Sequence, residues 1–186
     1  MSRAMVKGDN GQWEDRSVEI LHGLVVAHYT KLGFYDHATA LKQQVYALGE
    51  AGELSVDGVL KNDIEEIKDG IGDVMVCLIN WAHLEGVDFM AYYSPTREGK
   101  SFLSCSADSL CLHLHYHIAE LENEYCLGEV LGILATLGRK YDLTLAECLG
   151  HSYDVVFNRK VKPLNGTLVK EADWHKFPEL EGVDPL

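Results

Sequence analysis

The chain has 186 residues, 47% of them hydrophobic and 24% charged, with a formal net charge of −13. That length suits one domain with a real core, and the charge excludes a nucleic-acid surface, which needs clustered Lys and Arg against the phosphates. A basic membrane patch is excluded on the same ground, no apolar run approaches the roughly 20 residues of a membrane span, and the opening MSRAMVKGDNGQWEDRS has no apolar signal-peptide core.

The expectation is a single all-α domain over residues 1–186, soluble and cytoplasmic, with residues 1–14 and 175–186 flexible. Cys77, Cys105, Cys111, Cys126 and Cys148 form no CxxC pair, which fits reduced thiols packed as small hydrophobes.

Order is predicted to begin at Ser17, an N-cap with Glu19 in the first turn, opening a helix through Leu21, Leu24, Val25 and Leu32 that Gly33 ends. Asp36 or Thr39 starts a second helix. Leu41, Val45, Leu48 and Gly52 line one of its sides and Tyr46, Glu50 and Glu53 another, so both sides need neighbours. The link SVDGVLKN, with Asp57-Gly58, reads as a turn or short loop. The third helix runs over residues 62–85 and stops at Gly86. From Asp88 to Ser106 the periodicity fails, and SPTREGK reads as a surface loop. A fourth helix from Ala107 has Leu110, Leu114, Ile118 and Leu121 as its ridge, and a fifth spans 127–141. Thr144 with Glu147 is a capping box for a sixth, followed by Arg159, Lys160 and Lys162 and stopped by Pro163. Asn165-Gly166 then suggests a short hairpin, with coil after Trp174. Residues 71–88 also echo residues 127–144, Gly72 matching Gly128 and Asp73 matching Glu129, as in a bundle built from related helix pairs.

Two of these helices carry acids at helical spacing. Glu50 and Glu53 are three apart and Asp69 and Asp73 four apart, so each pair can reach one point. At about 100° per residue, Glu66, Asp69, Asp73 and Asn80 share a stripe bordering the face of Ile67, Ile71, Val74 and Leu78. Carboxylates at the edge of a core repel one another unless cations sit among them. Oxygen-only ligands favour Mg²⁺ or Mn²⁺, and these in turn favour phosphates.

The sequence GEAGEL followed by DGIGDVMVCLINWA resembles the MazG-like branch of the all-α nucleoside triphosphate pyrophosphohydrolases, and its end NRKVKPLNGTLVKEADW resembles small phage-type members. The resemblance implies a MazG-like bundle of five to six helices with a short C-terminal hairpin or coil. It implies Mg²⁺-dependent cleavage of (deoxy)nucleoside triphosphates to monophosphate and pyrophosphate by a homo-dimer or homo-tetramer, in the host cytoplasm if phage-encoded. Glu50 and Glu53 match the family's ExxE motif and Asp73 the Asp of ExxD. The Glu of that second motif falls at Gly70, and Asp69 is the implied substitute. The implied metal ligands are thus Glu50, Glu53, Asp69 and Asp73. Glu50 is the implied catalytic group, and Asn80, Arg159 and Lys160 are the implied substrate contacts.

Other readings are weighed against this one. Acidic pairs are commonly solvated helix faces. Of His113, His115 and His117 only the first and last share a helical face, with no Cys or acid at ligand spacing to complete a zinc or iron set. A di-iron bundle would need two ExxH motifs, and only Glu19 to His22 offers one. The chief competitor is a non-catalytic acidic helical oligomer that binds a nucleotide or a partner protein.

Overall fold

Helices start where side chains satisfy the first free backbone N–H groups. In the computed structural model, which describes residues 3–7, 13–93, 102–164 and 167–185, Ser17 caps α1 (Val18–Lys31) and Thr39 caps α2 (Ala40–Glu53). Asp63 caps α3 (Ile64–Glu85), accepting from the Glu65 and Glu66 amides at 3.1 and 3.4 Å. Asp88 opens the short α4 (Phe89–Tyr92), Ser106 opens α5 (Ala107–Ala119) and Asn123 opens α6 (Glu124–Lys140). The Thr144–Glu147 capping box begins α7 (Leu145–Phe157). Gly33 (φ 64°) follows α1 and Gly86 (φ 71°) ends α3, both in the left-handed conformation that glycine adopts without strain.

The fold is an all-α bundle with α3 at its centre. Ile67, Ile71, Val74, Met75, Leu78 and Ile79 of α3 are fully buried, with α2 against one side of the helix and α7 against another. The α2–α3 pair is antiparallel: Leu54 lies against Gly70, and Gly58 against Ile67 one turn further along. One helical turn back from Leu54, that register brings Glu50 across from Asp73. Glycine permits both of α3's closest approaches. A Cβ at Gly70 would stand 2.7 Å from Leu54 Cβ, and one at Gly72 would stand 2.1 Å from Ser152 Oγ and 2.2 Å from the Cys148 carbonyl oxygen. Among the described residues, no helix is long and apolar enough to cross a membrane.

Four segments differ from the sequence reading. The link after α2 is not a loop but a π-helical turn, Leu54–Val59, with the i to i+5 bond from the Leu60 amide to the Ser55 carbonyl at 3.0 Å. Asp57-Gly58 looks like a turn pair, yet Gly58 serves contact with Ile67. The N-terminal stretch forms two antiparallel strands, β1 (Arg3–Lys7) and β2 (Trp13–Ser17), where fraying was expected; β1 lies against α7. Within 88–106, α4 and the buried Phe89 and Phe102 replace part of the expected loop, while SPTREGK lies outside the described residues. The C-terminal hairpin is present as β3 (Val161–Leu164) with β4 (Thr167–Lys170), Asn165 and Gly166 falling outside the described residues. Beyond β4, the expected coil is replaced by the 3₁₀ turns Glu171–Lys176 and Pro178–Leu180. Trp174 Nε1 donates to the Val169 carbonyl (2.9 Å), and Lys162 donates to the Leu180 carbonyl (3.1 Å) while standing over the Trp174 ring.

Candidate active site

The α2–α3 register sets two acidic faces side by side. Glu50, Asp69 and Asp73 are half-buried and Glu53 is exposed. Burial, then the charges of Asp73 and Glu53, push the Glu50 carboxyl up to about 7. Burial, then the charge of Asp69, raises Asp73, partly offset by the nearby Ser152 hydroxyl and by Arg159 and Lys170. Cys77, one turn beyond Asp73, is raised by burial and then by the charges of Glu50 and Asp73. All four predicted carboxylates therefore belong to one electrostatic neighbourhood.

They do not close on a common point. Among the described residues, no three His, Cys, Asp or Glu side chains form a group able to hold a metal ion. Asp69 Oδ1 pairs instead with His151 Nε2 at 3.2 Å, and Glu53 faces solvent. A glutamate would have no room at position 70, because a side chain there points into Leu54. The donor chemistry nevertheless fits a hard dication. The set is oxygen-only, and Glu50 and Asp73 are held towards their neutral forms by burial and by neighbouring carboxylates, a penalty that a divalent ion would reverse.

Positive charge comes from the end of the chain. Arg159, just past α7, and Lys170, at the end of β4, line a cleft of about 70 Å³ with His28, Tyr29, Val161 and Leu168. Both cations act on Asp73, and Lys170 also acts on Glu50. The hairpin is tied over α2 by a hydrogen bond between the Tyr46 and Thr167 hydroxyls at 3.1 Å. Of the residues expected to meet substrate, Arg159 is at the cleft. Lys160 is exposed and paired with Glu171 at 3.6 Å. Asn80 is buried and accepts a 2.7 Å hydrogen bond from the Tyr35 hydroxyl. Lys170, Tyr29 and His151 escaped the sequence reading. Only Lys170 left a trace there, as a cation eight residues beyond the basic cluster, and its approach depends on the hairpin turning back.

The three histidines of α5 have structural roles. His113 and His117 pack their rings on Phe102, and His115 Nδ1 is 2.8 Å from the Cys111 carbonyl oxygen. The five cysteines are free.

The elevated Glu50 predicts how stability varies with pH. In the fold Glu50 keeps its proton to about pH 7, whereas in the unfolded chain it ionises near the usual 4.5. The native state thus binds more protons between these values, and stability falls as pH rises through that window. After discounting for solvent screening of a half-exposed group, the loss is on the order of 1 kcal/mol. Glu50→Gln should flatten this part of the stability–pH curve measured in EDTA; an unchanged slope would remove Glu50 as its source.

Comparison of the chain with protein-family models, curated proteins and solved structures finds no match.

Proposed function

We propose that the chain is a MazG-like, phage-type pyrophosphohydrolase that cleaves nucleoside triphosphates, deoxynucleotides preferred, to monophosphate and pyrophosphate with Mg²⁺ or Mn²⁺. The observation that carries this reading is the two-signed site: elevated Glu50 and Asp73 on the bundle face, and Arg159 with Lys170 at the adjoining cleft. A polyphosphate with its dications matches both signs, whereas a solvated helix face would leave its acids near their ordinary pKa values. Glu50, Glu53, Asp69 and Asp73 would hold the ions, which when bound supply Lewis-acid polarisation of the α-phosphate and an activated water. Glu50, the most strongly perturbed of the four carboxylates in the ion-free site, would be ionised once the ions offset its neighbours and so able to accept the proton of the attacking water. Arg159 and Lys170 orient the β- and γ-phosphates and offset the charge of the departing pyrophosphate. Lys170 takes over the part first expected of Lys160, whose charge is already met by Glu171.

The test is product analysis. With Mg²⁺ or Mn²⁺ the protein should release pyrophosphate, not orthophosphate, from one or more of the eight common nucleotides; if all eight stay intact, the assignment fails. Removing one charge-assisted phosphate contact costs about 1.5–3 kcal/mol, so Lys170→Met should raise KM at least about 10-fold. Lys160→Met should change it less than about 2-fold, the exposed pair with Glu171 being worth little. Equal effects from the two would argue against the assignment of Lys170.

One observation favours a second reading, nucleotide binding without turnover: Gly70 packs on Leu54 and Asp69 is engaged by His151, so the carboxylates do not close as they stand. Calorimetric binding of a triphosphate that survives prolonged incubation with Mg²⁺ would select it.

A further inference from the structure

The Tyr29 hydroxyl of α1 makes no hydrogen bond among the described residues, although a half-buried tyrosine ordinarily finds a partner. Its oxygen is not sealed in the core either. Among the described residues, Asp154 Oδ1 is the fully enclosed side-chain oxygen left unpaired, whereas Tyr29 opens on the cleft that it lines with Arg159 and Lys170. The ring itself is pinned. Phe34 and His28 stand edge-on to it with centroids at 4.8 and 5.8 Å, and Tyr35 is tilted against it at 6.4 Å. A phenol held by its ring can turn only its O–H bond, so the donor is in place before a ligand arrives.

The hydroxyl also lies between the two signs of the site. Burial, then Cys77 and Asp73 of α3 and Tyr35, hold its proton well above the ordinary phenol range, with Arg159 acting in the opposite direction. Near neutral pH the oxygen therefore keeps its hydrogen and has it to give.

We propose that Tyr29 is a phosphate-binding residue, its hydroxyl donating to a phosphate oxygen held between the carboxylates and the Arg159–Lys170 pair. This assignment rests on the polyphosphate reading of the site and adds a neutral donor to it. The ligand class follows from the donor. A cation cannot accept this hydrogen bond, and an apolar ligand would bury the O–H unmet, whereas one phosphate oxygen can accept from Tyr29 and from a neighbouring cation together. Neutrality matters as well, because a lysine or arginine in this position would pair with Asp73 and compete with ions for that carboxylate.

Calorimetry with inorganic tripolyphosphate and Mg²⁺, alongside thermal melts of the free protein, tests this. Tyr29→Phe removes the oxygen alone. It should weaken tripolyphosphate binding at least about 10-fold, the loss of one hydrogen bond to a charged acceptor, and leave the melting midpoint within about 1 °C of wild type, since that hydroxyl bonds nothing in the free protein. Tyr35→Phe is the converse case. Its hydroxyl donates to buried Asn80, so the midpoint should fall while the affinity for a ligand lacking sugar and base stays within about 2-fold. Wild-type binding that Tyr29→Phe leaves unchanged overturns the role of Tyr29 and spares the polyphosphate site. A midpoint that falls in Tyr29→Phe as it does in Tyr35→Phe also overturns it, by making the hydroxyl structural. A wild type that does not bind tripolyphosphate overturns the polyphosphate reading and this assignment with it.

Discussion

Asp73→Asn should lower Mg²⁺-dependent pyrophosphate release by on the order of 10³-fold or more while leaving the protein as stable as the wild type, or slightly more stable. The two expectations come from one cause. Asp73 is held above its ordinary pKa by burial and by Asp69, so ionising it in the fold costs free energy, and an amide of nearly equal size removes that cost. The same amide is a poor ligand for a dication and leaves Arg159 and Lys170 without their counter-charge. Parallel thermal melts and kinetics separate the roles. A large loss of turnover with an unshifted or raised midpoint marks a functional carboxylate, whereas a lost midpoint marks a structural one. Turnover equal to wild type would end the enzymatic reading.

Gly72→Ala should produce the opposite pattern. Its methyl group would meet the Cys148 carbonyl oxygen at 2.2 Å and Ser152 Oγ at 2.1 Å. Both sit on α7, and a backbone carbonyl cannot rotate away, so α3 and α7 must separate. Overpacking of this kind costs about 1–3 kcal/mol, or roughly 3–10 °C in melting midpoint for a chain of this size. Displacing α7 also shifts Ser152, which donates to the Asp69 carbonyl at 3.2 Å, and moves Arg159 beyond it. Activity should therefore fall together with stability. Differential scanning fluorimetry would show this, and a midpoint within about 1 °C of wild type would mean that α3 and α7 have slack at this contact.

What the sequence disclosed was what neighbouring residues decide. Thr144 and Glu147 announce α7 because each supplies the other's missing hydrogen bond, and Gly86 ends α3 for a reason visible in the residue itself. The acidic pairs were likewise legible, since helical spacing alone puts Glu50 near Glu53 and Asp69 near Asp73. What was hidden depends on distant partners. Lys170 reaches the acids only because β4 folds back over α2, where Thr167 meets Tyr46. Lys160, which stands beside Arg159 in sequence, points instead to Glu171. Gly70 looked like a lost ligand, but its lack of a side chain is what lets α3 lie against Leu54. The β1–β2 pair escaped because neither five-residue strand alternates apolar with polar residues, and the ladder, not an apolar pattern, defines it.

The π-helical turn between the acidic pairs bears on how such chains diverge. Such a turn holds one residue more than an α-helical turn, so it acts as a local reservoir for a single insertion, with the surplus taken up at Leu54–Val59. Losing that residue would let the turn relax to ordinary helix while α2 and α3 keep their register on either side. The number of residues between Glu53 and Asp69 is then not an inherited constant of this architecture. Chains sharing the bundle can differ there by one, and a fixed interval between the two acidic motifs would be a poor guide to their kinship.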